Sequence, residues 1–123
     1  RWDIPPQTLS LSGVQGGWFT LPDPGASSAF TQRYSAAYGA APHPLAGLAF
    51  DGIAAVGALV KSGKSNALTG AALTQSAGFQ GATGIFRLRG DGTNERGLAV
   101  ATIRNQGVVI LEAAPRGFGG AGF

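Results

Sequence analysis

Apolar and polar positions along the chain follow a helical period in the first half and a strand period in the last third. A short apolar and aromatic run after a glycine pair predicts a strand over residues 16–21. Asp23 and Pro24 then provide an N-cap and a first helical residue, and aromatic residues recur every four positions up to Gly39. This pattern predicts a helix over residues 23–38 whose C-cap is the glycine.

The segment from Leu45 to Val60 is almost continuously apolar and predicts a second helix over residues 45–61. Apolar side chains occupy nearly all of its faces, so we expect this helix to be buried on most sides. Ser65 is a candidate N-cap for a third, shorter helix over residues 66–76.

The last third of the chain alternates between apolar and polar residues, which is typical of strands. Residues 84–113 are predicted to hold three strands, separated by a Gly-Asp-Gly turn and by a tight loop at Asn105. Residues 114–123 are rich in glycine and predict a loose tail. The fold class predicted for residues 1–123 is therefore α/β, with helices followed by a C-terminal β-hairpin unit.

Composition indicates that part of the surface is covered by other polypeptide. Only 12% of the residues are charged, 44% are apolar and 21 are glycine, which is unusual for a free-standing soluble domain. The net charge of +3 is spread thinly along the sequence, so nucleic-acid binding is not expected. The chain has no cysteine, which excludes disulfides, zinc-thiolate sites and cysteine nucleophiles.

Residues that could carry chemistry are few. His43 is the only histidine and lies between two prolines, so a loop histidine is favoured over a metal ligand. Asp51 falls within the apolar helix, where a carboxylate needs a partner. Asp91 and Glu95 are interpreted as parts of one exposed turn. Four arginines are predicted on a solvated strand face, with a weak patch for an anionic partner as the alternative; they are Arg87, Arg89, Arg96 and Arg104.

Two spaced motifs resemble a known family. An aromatic helix ending at Gly39 precedes a proline and the triplet Ala49-Phe50-Asp51, and Phe79 begins the pattern F-x-G-x-x-G-x-F-x-L-x-x-x-G. Both resemble the C-terminal region of the type I periplasmic binding protein superfamily, which includes leucine/isoleucine/valine-binding proteins. The segments GGWF, PDP, GIFR, DGTNERGLAV and APRGF are most similar to the penicillin-binding protein activator branch.

The resemblance implies a fold and a set of site residues. The superfamily has two α/β lobes joined by three crossing strands, with the ligand in the cleft between them. This chain would be the C-terminal part, and the missing N-terminal portion of the same protein would be its first partner. By analogy, the ligand-binding residues would be Trp2, Asp3 and Leu45, with no catalytic residue, cofactor or metal.

The resemblance also implies a function. We expect a non-catalytic, extracytoplasmic ligand-binding module, similar to penicillin-binding protein activators that regulate peptidoglycan synthesis by contacting a cell-wall synthase. The alternative is a solute receptor of an ABC transporter for branched-chain or other amino acids. A hydrolase, the third option, is disfavoured by the sparse catalytic inventory. The expected location is the periplasm, with a lipid anchor on the full-length protein as one option and a homo-oligomer of this segment as another way to cover its apolar surface.

Overall fold

The computed structural model describes residues 2–119, which form helices and two antiparallel sheets. In chain order the elements are α1 (Pro6–Leu9), a 3₁₀ turn (Ser12–Val14), β1 (Trp18–Pro22), α2 (Pro24–Tyr38), α3 (Ala46–Lys61), α4 (Gly70–Leu73), β2 (Phe79–Gly81), β3 (Gly84–Leu88), β4 (Asn94–Arg96), β5 (Leu98–Arg104) and β6 (Gly107–Glu112).

The two sheets define two parts of the molecule. One sheet has the strand order β1-β5-β6 and the other has the order β2-β3-β4. We call the first sheet the strand unit. Helix α3 packs on the second sheet. We call this sheet, together with α2, α3 and α4, the helical unit. Strand β1 therefore pairs with a strand that lies some 80 residues later in the chain, at Trp18 opposite Thr102.

Helix α2 begins and ends where the sequence predicts. The Asp23 carboxylate accepts hydrogen bonds from the N–H groups of Gly25 and Ala26, at 2.9 and 3.1 Å. Gly39 ends the helix in the left-handed conformation, with φ of 73°. The three aromatic residues that recur along this helix do not form a buried core. Tyr38 is exposed, and Phe30 and Tyr34 are only half-buried.

Helix α3 is buried along one stripe and not on most sides, contrary to the prediction from its apolar sequence. The buried residues are spaced by four positions and face the β2-β3 sheet; they are Gly47, Asp51, Ala55 and Leu59. The opposite face is open, and Ile53 is 77% exposed. The sheet covers a single face because it has only three short strands. In the described part of the chain, no helix is long and apolar enough to cross a membrane.

The connection after α3 differs from the predicted third helix over residues 66–76. The helix there is the four-residue α4, and its N-cap is Thr69, whose hydroxyl accepts a hydrogen bond from the N–H of Ala72 at 3.2 Å. Gly70 begins this helix, and the polar residues Thr74, Gln75 and Ser76 follow Leu73, so the apolar run that the helix can bury is short. The glycine-rich segment that follows contains a strand, since Phe79–Gly81 pairs with β3 as strand β2.

Two of the four arginines are held by an ion pair on the helical unit. Glu95 lies on strand β4 and not in an exposed turn, and its Oε2 is 2.7 Å from a guanidinium nitrogen of Arg87 and 2.7 Å from one of Arg89. Arg96 faces the buried Asp51 at 3.6 Å. These three arginines therefore do not form an open basic strand face. Each lies beside an acidic residue, either Glu95 or Asp51.

This ion pair predicts a pH effect on stability. Hydrogen bonds from Arg89 and then Arg87 hold the pKa of Glu95 below its ordinary value of 4.5. The ionised Glu95 carboxylate therefore stabilises the folded state fully above pH 4.5, and this stabilisation is lost as the pH falls through the lowered pKa of the folded state. We expect Glu95→Gln to unfold at lower urea concentration than the parent at pH 7, and the gap to close as the pH falls below 4.5. Glu112→Gln, on exposed β6, is the matched control, and a gap that does not change with pH would contradict the prediction.

The tail packs against the molecule instead of being loose, as far as the structure describes it. The Ala114 side chain is buried, and the carbonyl oxygen of Arg116 accepts a hydrogen bond from the Gln80 amide at 3.0 Å. The Arg87 guanidinium lies over the Phe118 ring, 4.6 Å from its centre. The remainder of the predicted tail, residues 120–123, lies outside the described residues.

The chain passes between the two units at three places, all beside the start of β3. Asp23, between β1 and α2, donates its N–H to the carbonyl oxygen of Thr83 at 3.0 Å. Gly97, between β4 and β5, donates its N–H to the carbonyl oxygen of Ile85 at 3.0 Å. Pro115, after β6, lies so close to Gly97 that an added Cβ there would be 3.0 Å from its ring. We call this region, Asp23, Gly97, Pro115 and the start of β3, the junction.

Candidate functional site

A concave pocket opens at the junction, where β1 gives way to α2. Its volume is about 190 Å³, below the roughly 300–1,000 Å³ of pockets that enclose a drug-sized ligand. A pocket of this size could form one wall of a larger site. Five separate segments contribute to this junction pocket, through Trp2, Pro22, Ser27, Phe30, Thr31, Pro42, His43, Pro44, Gly47, Ala82 and Thr83.

The wall of the junction pocket is aromatic and neutral-polar. Trp2 and Phe30 offer ring surface, while three hydroxyl groups come from Ser27, Thr31 and Thr83. Among the described residues that line the pocket, His43 alone is ionisable. Its Nδ1 accepts a hydrogen bond from the N–H of Leu45 at 3.1 Å, which fixes the ring against the start of α3. This surface suits an apolar or hydroxyl-bearing group better than a charged one.

The N-terminus of α2 lies beside the pocket but is not an anion site. Free N–H groups in the first turn of a helix would attract a carboxylate or phosphate. Here the Asp23 side chain already accepts from Gly25 and Ala26, and its carbonyl oxygen accepts from the N–H of Ser27 at 2.9 Å. A negative ligand would also meet the negative charge of Asp23.

Asp51 lies behind the pocket wall and fixes it. Its side chain is 0% exposed. One carboxylate oxygen accepts from the N–H of Ala82 and the other from the hydroxyl of Thr83, both at 2.5 Å. The Arg96 guanidinium is 3.6 Å from the second oxygen. The partner that the sequence required for this buried carboxylate is thus the turn between β2 and β3, supplemented by one arginine.

The three predicted ligand-binding residues occupy different positions. Trp2 lines the junction pocket. Asp3 follows it in the chain and is half-buried. Leu45 does not line the pocket and is 39% exposed, although the preceding His43 and Pro44 do line it. The structure brings Trp2 and the chain next to Leu45 to one pocket, and the ligand-binding roles of the three residues stay predictions.

Several pocket residues were not singled out by the sequence. Phe30 belongs to the aromatic repeat of α2 and Thr83 to a glycine-rich segment, and neither has a local pattern that indicates a site. The one usable signal was Asp51, whose burial demanded a partner elsewhere in the chain. In residues 2–119, no group of three histidine and carboxylate side chains could hold a metal ion.

Comparisons with known proteins give one family match and two structural matches. The family model described as "Periplasmic binding protein" matches residues 4–108. A structure from Rhodospirillum rubrum, described as a branched-chain amino acid ABC transporter, is similar with a TM-score of 0.71, 20% identity, and coverage of 89% of this chain and 35% of that one. A leucine binding protein from Thermotoga maritima is similar with a TM-score of 0.51, 21% identity, and coverage of 89% and 34%.

This chain thus spans about a third of the length of the two structures that it matches. At this level of identity the likeness is one of fold. No curated protein matches the sequence significantly.

Proposed function

Because the chain belongs to the periplasmic binding protein family, we propose that it is the C-terminal part of a two-lobed extracytoplasmic protein whose ligand cleft has the junction pocket as one wall. The observation that carries the proposal is the position of the pocket. It lies beside the first crossing between the strand unit and the helical unit, where Pro22 lines it and Thr83 in its wall accepts the N–H of Asp23. Ligand sites occur preferentially at such boundaries between structural units.

Open apolar surfaces support the view that further polypeptide completes both units. The α3 face that carries Ile53 is uncovered, and Val108–Leu111 on β6 is exposed at an edge of its sheet. Monomeric soluble proteins rarely leave large contiguous apolar patches open, and a free apolar strand edge favours aggregation. Two lobes of a longer chain would cover the helix and extend the sheet.

We propose further that the ligand is a small amino acid such as leucine, bound by a solute receptor. The aromatic and neutral wall would contact the apolar side chain of the ligand. Its ammonium and carboxylate groups would be held by residues outside the described wall, since the α2 N-terminus is already capped. The role is binding, without catalysis, and ligand closure of the cleft would shift a hinge equilibrium.

The test is calorimetry on the full-length product of the gene that encodes this chain, titrated with leucine, isoleucine, valine and glycine. We expect heat with the branched-chain ligands. Trp2→Ala should weaken leucine binding about 10- to 100-fold, as loss of a buried aromatic contact of about 1.5–3 kcal/mol predicts. The matched control is Trp18→Ala, because Trp18 is 75% exposed and lies outside the pocket. Equal weakening by both variants would contradict the assignment of the ligand to the junction pocket. No heat with any amino acid would contradict the proposal that the protein is an amino acid receptor.

A regulator of peptidoglycan synthesis similar to penicillin-binding protein activators is the second candidate. It is favoured by the motifs that resemble that branch and by the neutral pocket wall, since a regulator needs no groups to hold an amino acid backbone. In this case the titration gives no heat, and the full-length protein instead retains a purified cell-wall synthase in a binding assay.

A further inference from the structure

Thr83 lines the pocket and has hydrogen bonds toward two of the chain crossings. Its carbonyl oxygen accepts the N–H of Asp23, at the first crossing. Its hydroxyl accepts a hydrogen bond from Nη1 of Arg96 at 3.1 Å, and Arg96 directly precedes Gly97 at the second crossing. The same residue forms part of the pocket wall. We infer that Thr83 is a positioning residue that couples occupancy of the junction pocket to the angle between the two units.

The chemistry of the three side chains fixes the direction of the hydrogen bonds. A carboxylate only accepts and a guanidinium only donates, so the single hydroxyl proton of Thr83 must go to Asp51. Its lone pairs then face Arg96. The hydroxyl therefore bridges two groups that are 3.6 Å apart, beyond the reach of a good direct hydrogen bond. Since the carboxylate is fully buried, the relay Asp51–Thr83–Arg96 is held rigidly from the α3 side.

The methyl group of Thr83 is as constrained as its hydroxyl. A Cβ added to Gly47 would lie 2.7 Å from this methyl carbon, so the methyl fills the space beside the first turn of α3. Serine would keep the relay and leave this space open, whereas valine would fill the space and break the relay. The two substitutions therefore separate packing from coupling.

Arg96 transmits the relay to the second crossing. Its guanidinium also lies over the Phe86 ring, 5.1 Å from its centre, which holds the side chain against β3. The next residue, Gly97, is tied to the same strand through Ile85. A ligand that contacts Thr83 would therefore act on a residue linked to both crossings. The first crossing is hydrogen-bonded to its carbonyl oxygen, and the second follows Arg96, the donor to its hydroxyl.

This inference rests on the proposed function, and the experiment has a readout that needs no ligand. This chain has no cysteine, so Lys64→Cys and Arg104→Cys place one label on each of its two units, in a full-length protein from which every cysteine outside this chain has been replaced by serine. The distance distribution between the labels is measured without ligand and with saturating leucine, and leucine affinity is measured by calorimetry.

We expect Thr83→Val to broaden or shift the ligand-free distribution and to weaken leucine binding about 10-fold, as loss of a hydrogen bond to a charged group predicts. Thr83→Ser should keep the ligand-free distance distribution of the parent and a leucine affinity within about 2-fold of the parent, because the relay is intact. Thr31→Val removes a hydroxyl from the same wall and should leave the ligand-free distribution unchanged. A role limited to folding stability would lower the melting temperature without this pattern.

A Thr83→Val distribution identical to that of Thr31→Val would overturn the coupling. If Thr83→Val does not fold, the same distances are measured in Arg96→Gln. The Arg96 side chain is partly exposed, and its loss breaks the relay from the other end. An unchanged ligand-free distribution in Arg96→Gln overturns the inference. A parent protein that gives no response to leucine, isoleucine or valine contradicts the proposed amino acid function, while the ligand-free distributions still decide the coupling.

Discussion

Asp51→Ala is expected to lower the free energy of unfolding by about 3–5 kcal/mol, because two buried donors would lose their acceptor at about 1–3 kcal/mol each. The carboxylate is fully buried and accepts from Ala82 and Thr83, with Arg96 close by. Without it, a backbone N–H and a hydroxyl lose their acceptor inside the protein, and a guanidinium loses its counter-charge. Urea unfolding followed by circular dichroism measures the change.

Two further variants make the Asp51 result specific. Asp51→Asn keeps an oxygen that can accept from Ala82 but loses the charge toward Arg96, so a smaller loss of about 1–3 kcal/mol is expected. Asp91→Ala removes an exposed carboxylate that accepts hydrogen bonds from the nearby Thr93, and it should cost under about 1 kcal/mol. A loss of under about 1 kcal/mol for Asp51→Ala would mean that the carboxylate does not hold the pocket wall.

Gly81→Ala is expected to be the second most damaging change, at about 3 kcal/mol, the upper part of the range for overpacking a core. An added Cβ would lie 2.5–2.6 Å from the carboxylate atoms of Asp51. The carboxylate cannot move away, because each of its oxygens is hydrogen-bonded to the β2-β3 turn. The glycine in this motif is therefore required by a close approach of α3 to the sheet.

Gly52→Ala is the matched control for Gly81→Ala, one residue beyond Asp51 on the same helix. No heavy atom lies within 4 Å of the position that its Cβ would occupy. Alanine there should raise stability by about 0.5–1 kcal/mol, because glycine is a poor helix former. Opposite signs for the two substitutions are expected in urea unfolding, and a neutral Gly81→Ala would contradict the packing described here.

Local signals in the sequence predicted the elements that depend on neighbouring residues. Asp23, Pro24 and Gly39 define the ends of α2 through caps that require no distant contact. The superfamily and the mixed helix and sheet fold, which the resemblance implied, are confirmed by the family match and the structural likeness. The detection of Asp51 as a residue in need of a partner also follows from local pattern, because an acid in an apolar helix is costly unless it is satisfied.

Long-range contacts account for what the sequence did not predict. The residues that surround Asp51 lie 31 to 45 positions later in the chain, and nothing near Thr83 or Arg96 indicates the relay. The arginine face was predicted as open because the alternation of β3 does not reveal that Glu95 pairs opposite Arg87. The apolar pattern of α3 does not distinguish a helix buried by this chain from one that is covered only along a single stripe.

A crystal structure of the full-length gene product with leucine bound would test most directly whether the junction pocket is a wall of the ligand cleft. We predict a second lobe facing the pocket, with the leucine side chain in contact with Trp2 and the turn at Thr83. Leucine bound at a position remote from both residues, or a pocket filled by the protein's own side chains, would contradict the account.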